Sequence, residues 1–227
     1  MPTTHARRAP PAASATVARL SGVRVKGAAR RGILDLTMPR GSFHFLTGPS
    51  GAGKSRALET LALLRKPDEG CAVELFGIDP WAGDESGRAA LRRRIGFAGR
   101  HDGLVDRLTT FQNAALPLAL AGAPAEGRAH VVEMLDWLGL APVAARAAGT
   151  LDRARRRALC VARALVAQPE LILIDDPMDD LTPEVADRVL GLLSALGKGE
   201  AAVVMTGRDP AAARKAGATV LTLDGAG

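Results

Sequence analysis

The octapeptide GPSGAGKS, at Gly48–Ser55, constrains the fold of this chain more than any other segment. It matches the pattern G-x-x-x-x-G-K-[ST], whose glycines let the backbone curl so that several N–H groups point into one concavity. A strand-like run at 42–47 precedes it, and leucines at helical spacing follow it over 54–64. A strand, a glycine-rich turn and a helix in this order predict a site for phosphate groups, because the helix N-terminus attracts negative charge.

The residues predicted to bind ATP are nearly all consecutive. The Lys54 ammonium would neutralise the β- and γ-phosphates, and the Ser55 hydroxyl would ligate Mg²⁺. Asp175 ends the apolar run LILI at 171–174 and would hold the same Mg²⁺ through a water molecule. The predicted metal ligands are therefore Ser55 and Asp175. The predicted nucleotide-binding residues are Gly48, Pro49, Ser50, Gly51, Ala52, Gly53, Lys54, Ser55 and Arg56.

Strand-like and helix-like segments alternate along most of the chain. Strands are expected at 17–25 (as an edge strand), 42–47, 71–75, 95–98, 171–174, 202–205 and 219–223, and helices at 54–64, 153–167 and from Pro183 to Gly197. Asp152 and Thr182 stand at the positions of helix N-caps. The alternation predicts an α/β P-loop fold with a mostly parallel, doubly wound sheet.

The middle of the chain has a different pattern. Residues 110–139 are rich in Ala and Leu, with Val131, Leu135 and Leu138 on one helical face and Gly139 at its end. We therefore expect one domain over 16–227, with a core of 16–98 and 147–227 and an inserted helical subdomain at 99–146. Residues 1–15, rich in Pro, Ala and Arg, are expected to be a disordered tail.

Composition excludes several classes of partner. The net charge of +6 would suit nucleic acid, but five Phe and two Trp form no basic–aromatic stripe on which bases could stack, so we expect no nucleic acid partner. No apolar run of about 18 residues occurs, so we expect no direct membrane span. Cys71 and Cys160 lack metal spacing and are interpreted as reduced residues of a cytoplasmic protein.

Three longer stretches resemble a known family. They are FLTGPSGAGKS at 45–55, LVDRLTTFQNAALPL at 104–118 and VARALVAQPELILIDDP at 161–177. Their order resembles that of an ABC transporter-type ATPase subunit, over nearly all of 17–227. Within the family the chain is most similar to the cell-division ATP-binding protein FtsE, since NAALPL is similar to the NVALPL typical of it. Subunits that export lipoproteins or peptides are similar in the same region.

The resemblance implies partners and a location. A subunit of this kind forms a homodimer when ATP is bound, and hydrolyses ATP where the P-loop of one copy faces the signature motif of the other. It works with an integral membrane subunit, here one resembling FtsX, and lies peripherally at the cytoplasmic face of the plasma membrane. The resemblance places the docking surface for that subunit at 104–118, together with Arg100 and His101.

The motifs that would catalyse hydrolysis differ from the family pattern. The signature stretch is LDRARRRA at 151–158, with Asp152 in place of a serine; it is either a plain helix start or a phosphate contact. Arg100 replaces the Q-loop glutamine, and an Arg side chain has no lone pair with which to accept from water. Arg208 replaces the switch histidine, Asp176 replaces the catalytic glutamate, and Thr182 replaces an aspartate. Asp176 and Arg208 remain the catalytic candidates.

Three functions remain open at this point. The chain could be a working FtsE-like ATPase that drives its membrane partner in cell division. It could instead be an ATP-binding adaptor that hydrolyses slowly or not at all. The third alternative is the nucleotide-binding subunit of an exporter.

Overall fold

The computed structural model describes residues 16–25, 32–122 and 127–223. The tail predicted at 1–15 lies outside these residues. Within them, no helix combines the length and the apolar character that crossing a membrane requires.

Eight strands and seven α-helices follow one another in the described parts of the chain. The strands are β1 (Thr16–Val25), β2 (Gly32–Pro39), β3 (Ser42–Thr47), β4 (Ala72–Leu75), β5 (Ile95–Ala98), β6 (Leu171–Ile174), β7 (Ala202–Thr206) and β8 (Thr219–Thr222). The helices are α1 (Lys54–Leu61), α2 (Glu85–Arg92), α3 (Thr110–Leu120), α4 (Arg128–Trp137), α5 (Arg153–Leu165), α6 (Pro183–Leu196) and α7 (Ala211–Lys215).

A parallel sheet of five strands, in the order β5-β6-β7-β3-β8, forms the centre of the fold. The central strands β6 and β7 are covered on both faces, and side chains alternate between two separate apolar clusters. On β6, Ile172 and Ile174 face one cluster, whereas Leu171 and Leu173 face the other. The continuous apolar run LILI follows from this double burial. The prediction of an α/β fold with a mostly parallel sheet is confirmed.

A smaller antiparallel sheet, β2-β1-β4, packs beside it. The prediction that 17–25 forms an edge strand is wrong, because β1 lies between β2 and β4. The sequence pattern did not predict the strand β2. Its segment, GILDLTMP, ends in a proline at 39, and nothing local in the sequence marks it as the hydrogen-bonding partner of β1.

Several predicted helix ends are also corrected. α1 ends at Leu61, not 64, because Leu63 adopts a left-handed backbone with φ of 59° and Leu64 turns into solvent, 61% exposed. α5 ends at Leu165, not at 167. Thr182 occupies the N-cap position of α6, but its side chain forms no capping hydrogen bond there.

Two helices, α3 and α4, are inserted between β5 and α5, as predicted. They pack on each other and on α5. Val131, Leu135 and Leu138 are all buried on one face. The subdomain boundaries at 99 and 146 stay a prediction.

Asn113 fastens the loop before α3. It is fully buried, accepts from the Val105 N–H at 2.9 Å, and donates to the carbonyls of Val105, Leu108 and Thr109 at 3.1–3.2 Å. Asn113→Ala should lower the free energy of unfolding by about 1–3 kcal/mol, because buried backbone groups lose their partners. Urea unfolding measures this. Leu120→Ala on the same helix, 77% exposed, is the control and should change it by under about 0.5 kcal/mol. Equal values for the two variants would contradict this role.

Candidate nucleotide site

The turn between β3 and α1 has the backbone that the glycine pattern predicted. Gly48, Gly51 and Gly53 all have positive φ, at 144°, 83° and 93°. Gly48 also lacks space for a side chain, since a Cβ there would lie 2.2 Å from the Leu223 carbonyl oxygen. Only glycine fits this position, so the chain's last described residue closes one side of the turn.

The Lys54 side chain folds back across this turn. Its Nζ donates to the carbonyl oxygens of Gly48 at 2.6 Å and Pro49 at 3.0 Å. Burial lowers the pKa of Lys54, while Asp176 and Asp175 raise it and Arg100 and Arg208 lower it. The structure therefore brings together, around one ammonium group, four charged residues that are far apart in the sequence.

No side chain of the first turn of α1 neutralises the N-terminus of this helix. Its N-cap, Gly53, provides no side-chain hydrogen bond, and the first turn contains no acidic residue. The positive end of the helix dipole therefore faces the turn uncompensated, which suits a phosphate group. The Arg56 side chain pairs with Asp68, so any contribution of Arg56 would come from its backbone.

Asp175 lies at the carboxyl end of β6, beside the glycine turn. It is 3% exposed, and its Oδ1 accepts from the Thr206 hydroxyl at 2.6 Å. The same hydroxyl oxygen accepts from the Asp176 N–H at 2.9 Å. Thr206 thus orients two acidic residues at once. Sequence reasoning missed it, and the available signal was its place at the end of β7, level with Asp175 in the sheet.

Asp176 is paired with Arg100. The Arg100 Nη2 lies 3.2 Å from Asp176 Oδ2, and the Asp176 side chain is only 9% exposed. The Asp176 backbone is left-handed, with φ of 52°. The residues that replace the family's glutamine and glutamate are therefore in direct contact, in a pairing that neither motif alone predicted.

Arg208 lies after β7, near the other side of the turn. Its carbonyl oxygen accepts from the Thr47 hydroxyl at 3.2 Å, and the preceding Gly207 N–H donates to the Leu46 carbonyl. These contacts hold the backbone of the switch position against β3. The Arg208 side chain is exposed.

The stretch 151–158 is the start of α5. Asp152 accepts from the Arg155 N–H at 2.8 Å, so the interpretation as a helix N-cap is confirmed. Arg153 pairs with Asp180, and Arg156 pairs with Asp102 and Asp106. The arginine side chains at this end of α5 therefore form ion pairs within the chain.

Arg157 differs from the other arginines at the start of α5 because its side chain is buried, at 5% exposure. Its guanidinium donates to the Gly99 carbonyl at 2.6 Å and to the Asp175 carbonyl. These two carbonyls directly precede Arg100 and Asp176 in the chain. One side chain of α5 therefore holds the backbone on which the Arg100–Asp176 pair is built.

A family model for the ABC transporter matches residues 32–179, which include the glycine turn and Asp175. The chain belongs to the ABC transporter ATPase family. Two curated relatives illustrate the similarity. The methionine import ATP-binding protein MetN 2 of Burkholderia mallei is 38% identical over 178 residues, covering 78% of this chain and 44% of that protein. The MetN protein of Brucella abortus is 36% identical, covering 81% of this chain and 50% of that protein.

The chain therefore spans about half the length of these curated relatives. A solved structure, the dimeric structure of MJ0796, described as a bacterial ABC transporter cassette, matches with a TM-score of 0.80 and 28% identity, covering 91% of this chain and 94% of that one. A second form of MJ0796, bound to ADP and Pi, matches with a TM-score of 0.77 and 28% identity, covering 87% and 90%.

The donor set fits Mg²⁺ only together with phosphate. In the described parts of the chain, no group of three or more His, Cys, Asp or Glu residues could hold a metal ion. Mg²⁺ is commonly bound by one or two protein oxygens, with substrate phosphates and water completing its shell. Ser55 and the second carboxylate oxygen of Asp175 would supply such a partial set, because only Oδ1 of Asp175 is occupied by Thr206.

Proposed function

We propose that the chain is the ATP-binding subunit of an ABC transport complex, and that it binds Mg·ATP on the turn Gly48–Gly53. One observation carries the proposal. The uncapped N-terminus of α1, the glycine turn and the Lys54 ammonium meet at one concavity. Backbone N–H groups and one partly buried cation are the donors that a polyphosphate needs.

Each residue of the turn has a distinct role in this proposal. Lys54 would exchange its carbonyl partners for the β- and γ-phosphates, and Ser55 and Asp175 would hold Mg²⁺. Bound Mg²⁺ supplies charge neutralisation between the phosphates. Thr206 fixes the orientation of Asp175, since its hydroxyl donates to Oδ1.

ATP hydrolysis should be slow in this subunit. Asp176 is one methylene shorter than a glutamate, and its carboxylate is already paired with Arg100 at 3.2 Å. A carboxylate held by a guanidinium is a poor acceptor for the proton of an attacking water. Arg208, with no acceptor lone pair, cannot replace it.

A dimer and a membrane partner belong to the same proposal. The solved neighbours are dimeric structures, which supports an ATP-bound homodimer here. An integral membrane subunit would place the chain peripherally at the cytoplasmic face of the plasma membrane. Sedimentation with Mg·ATP and without nucleotide tests the homodimer, which is expected with Mg·ATP and not without nucleotide.

Transport has more support than cell division. The relatives reported above are named for methionine import, whereas the FtsE-like interpretation, with an FtsX-like partner, rests on the stretch at 113–118. A chromosomal Lys54→Ala variant separates the two functions. We expect reduced uptake of labelled methionine in cells of normal length. Filamentous cells with normal uptake would favour division instead.

The docking surface proposed at 104–118 can be tested at Arg107. Asp106 is unsuitable, because it pairs with Arg156 and its reversal would disturb α5. Arg107 is exposed, close to Val105, an apolar residue that is 36% exposed. Arg107→Glu should reduce recovery of the membrane subunit in co-purification at least about fivefold, in line with a lost interface charge. Arg93→Glu is the control, because Arg93 is exposed and forms no ion pair with any residue that the structure describes. Equal recovery from both variants would contradict docking here.

A further inference from the structure

A cleft with a volume of about 520 Å³ opens between α4 and the core. It lies at the amino ends of the parallel strands, whereas the nucleotide site lies at their carboxyl ends. Pro169 and Glu170, in its wall, directly precede β6, whereas Asp175 directly follows that strand. The cleft is thus separate from the glycine turn, and no step proposed above uses it.

The walls of the cleft are mostly apolar. Met134 and Trp137 of α4 form one wall, and Leu192 and Leu196 of α6 form the opposite wall. All four are only partly buried, so apolar surface faces water inside a concavity. Pockets for small molecules typically measure about 300–1,000 Å³, whereas a two-turn helix would fill about 900 Å³. The volume therefore favours a small molecule over a docked helix.

The wall between α5 and β6 has an unfavourable backbone. Gln168, which lines the cleft, is a non-glycine residue with φ of 50°. Such conformations persist where the surroundings fix them, and they are concentrated at ligand sites. This strained turn lies outside the nucleotide site and has no role in it.

The charged groups of the cleft are carboxylates. Glu133, Glu170 and Glu200 line it together with one histidine, His130, and no Lys or Arg does. Glu170 is already paired with Arg40 and Arg94, and Glu200 is 92% exposed at the margin, 3.8 Å from Arg40. Glu133 forms no ion pair with any residue that the structure describes. It lies on the same face of α4 as Met134 and Trp137, one turn before the latter.

We propose that this cleft binds a small organic cation with an apolar body, of the alkylammonium or arylalkylammonium class. The apolar body contacts Met134, Trp137 and the leucines of α6, and the cationic head lies at Glu133. Trp137 adds a cation–π or stacking surface. Because α4 belongs to the inserted helices and α6 to the core, the ligand bridges the two.

The position of Trp137 allows a direct measurement. The chain has two tryptophans, and Trp81→Phe leaves Trp137 as the sole fluorophore. In this background we would titrate decylammonium and decanoate below their micelle concentrations and decanol below its solubility limit, all without nucleotide. Decylammonium should change the Trp137 emission saturably and bind at least tenfold more tightly than decanoate. Absence of a saturable change, or equal binding of the two ions, would overturn the proposal.

Two variants locate the head group. Glu133→Gln should weaken decylammonium about twofold to fivefold, as expected for an exposed ion pair, and leave decanol unchanged. Asp136→Asn, on the same helix but outside the cleft, is the matched control and should change neither. Equal effects of the two variants would show a general surface charge effect and overturn the assignment.

A shortened chain tests a competing occupant. The segment before Thr16 contains Arg7 and Arg8, two cations of the chain itself, so its removal tests whether it competes with the ligand. Removal of residues 2–14 should leave decylammonium affinity unchanged. A tenfold gain would assign the cleft to the chain itself and overturn the proposal.

Discussion

Replacing Lys54 by alanine should reduce the affinity for Mg·ATP by about two to three orders of magnitude. Lys54 is the cation closest to the glycine turn, with its Nζ 2.6 Å from the Gly48 carbonyl. Partial burial lowers its pKa, because the charged form loses part of its hydration. Removing one member of a desolvated charge pair typically costs about 2–5 kcal/mol.

Isothermal calorimetry with Mg·ATP measures the effect. Lys66→Ala is the control, because Lys66 is exposed and lies beyond α1, and it should bind as the unmodified chain does. Thermal unfolding without nucleotide checks that Lys54→Ala remains folded. Equal affinity of the Lys54 variant and the unmodified chain would refute the proposed phosphate site.

The second large effect is a deficit in ATP turnover of about 10²–10⁴-fold relative to an intact family member, which is the usual cost of losing a positioned general base. The positive charges that would stabilise the transferring phosphate are retained, since Arg208 is close enough to Lys54 to influence its pKa. Positioning of the attacking water is lost, since the Asp176 carboxylate is short and paired with Arg100. Losses within one catalytic unit do not multiply, so the deficit should not be the square of this factor.

Restoring the family residues tests the cause. Asp176→Glu alone should raise the rate of ATP hydrolysis only slightly, because Arg100 would still pair with the carboxylate. Asp176→Glu with Arg100→Gln and Arg208→His should raise the rate more, and Arg93→Gln, an exposed arginine outside the docking surface, is the charge-matched control. Phosphate release is measured alone and with the membrane subunit. Turnover of about 1 s⁻¹ or faster in the unmodified chain would refute the deficit, since it lies in the ordinary enzyme range.

The sequence predicted what is decided locally. The glycine turn depends on backbone freedom at three positions, and LILI on burial of both strand faces, so both could be identified from short runs. The N-cap role of Asp152 is local in the same sense, since its partner is three residues away.

Features decided by long-range contacts could not be predicted in this way. Thr206 orients Asp175 from 31 residues away, and Arg100 reaches Asp176 across 76 residues. The order of the strands in the sheet determines which of these side chains come into contact, and no short sequence pattern encodes that order. The same limit explains the error over β1, whose central position depends on pairing with both β2 and β4.

The two hydrogen bonds of the buried Arg157 guanidinium have a consequence for how α5 could move. Because its guanidinium is bonded to the carbonyls of Gly99 and Asp175, the two chain segments that bear Arg100 and Asp176 are joined to one helix. A rigid tilt of α5 would carry both segments in the same direction. It would change their height above Lys54 while preserving the gap between them. A tilt of α5 would therefore move the charged side chains of Arg100 and Asp176 together relative to Lys54, through the hydrogen bonds of Arg157.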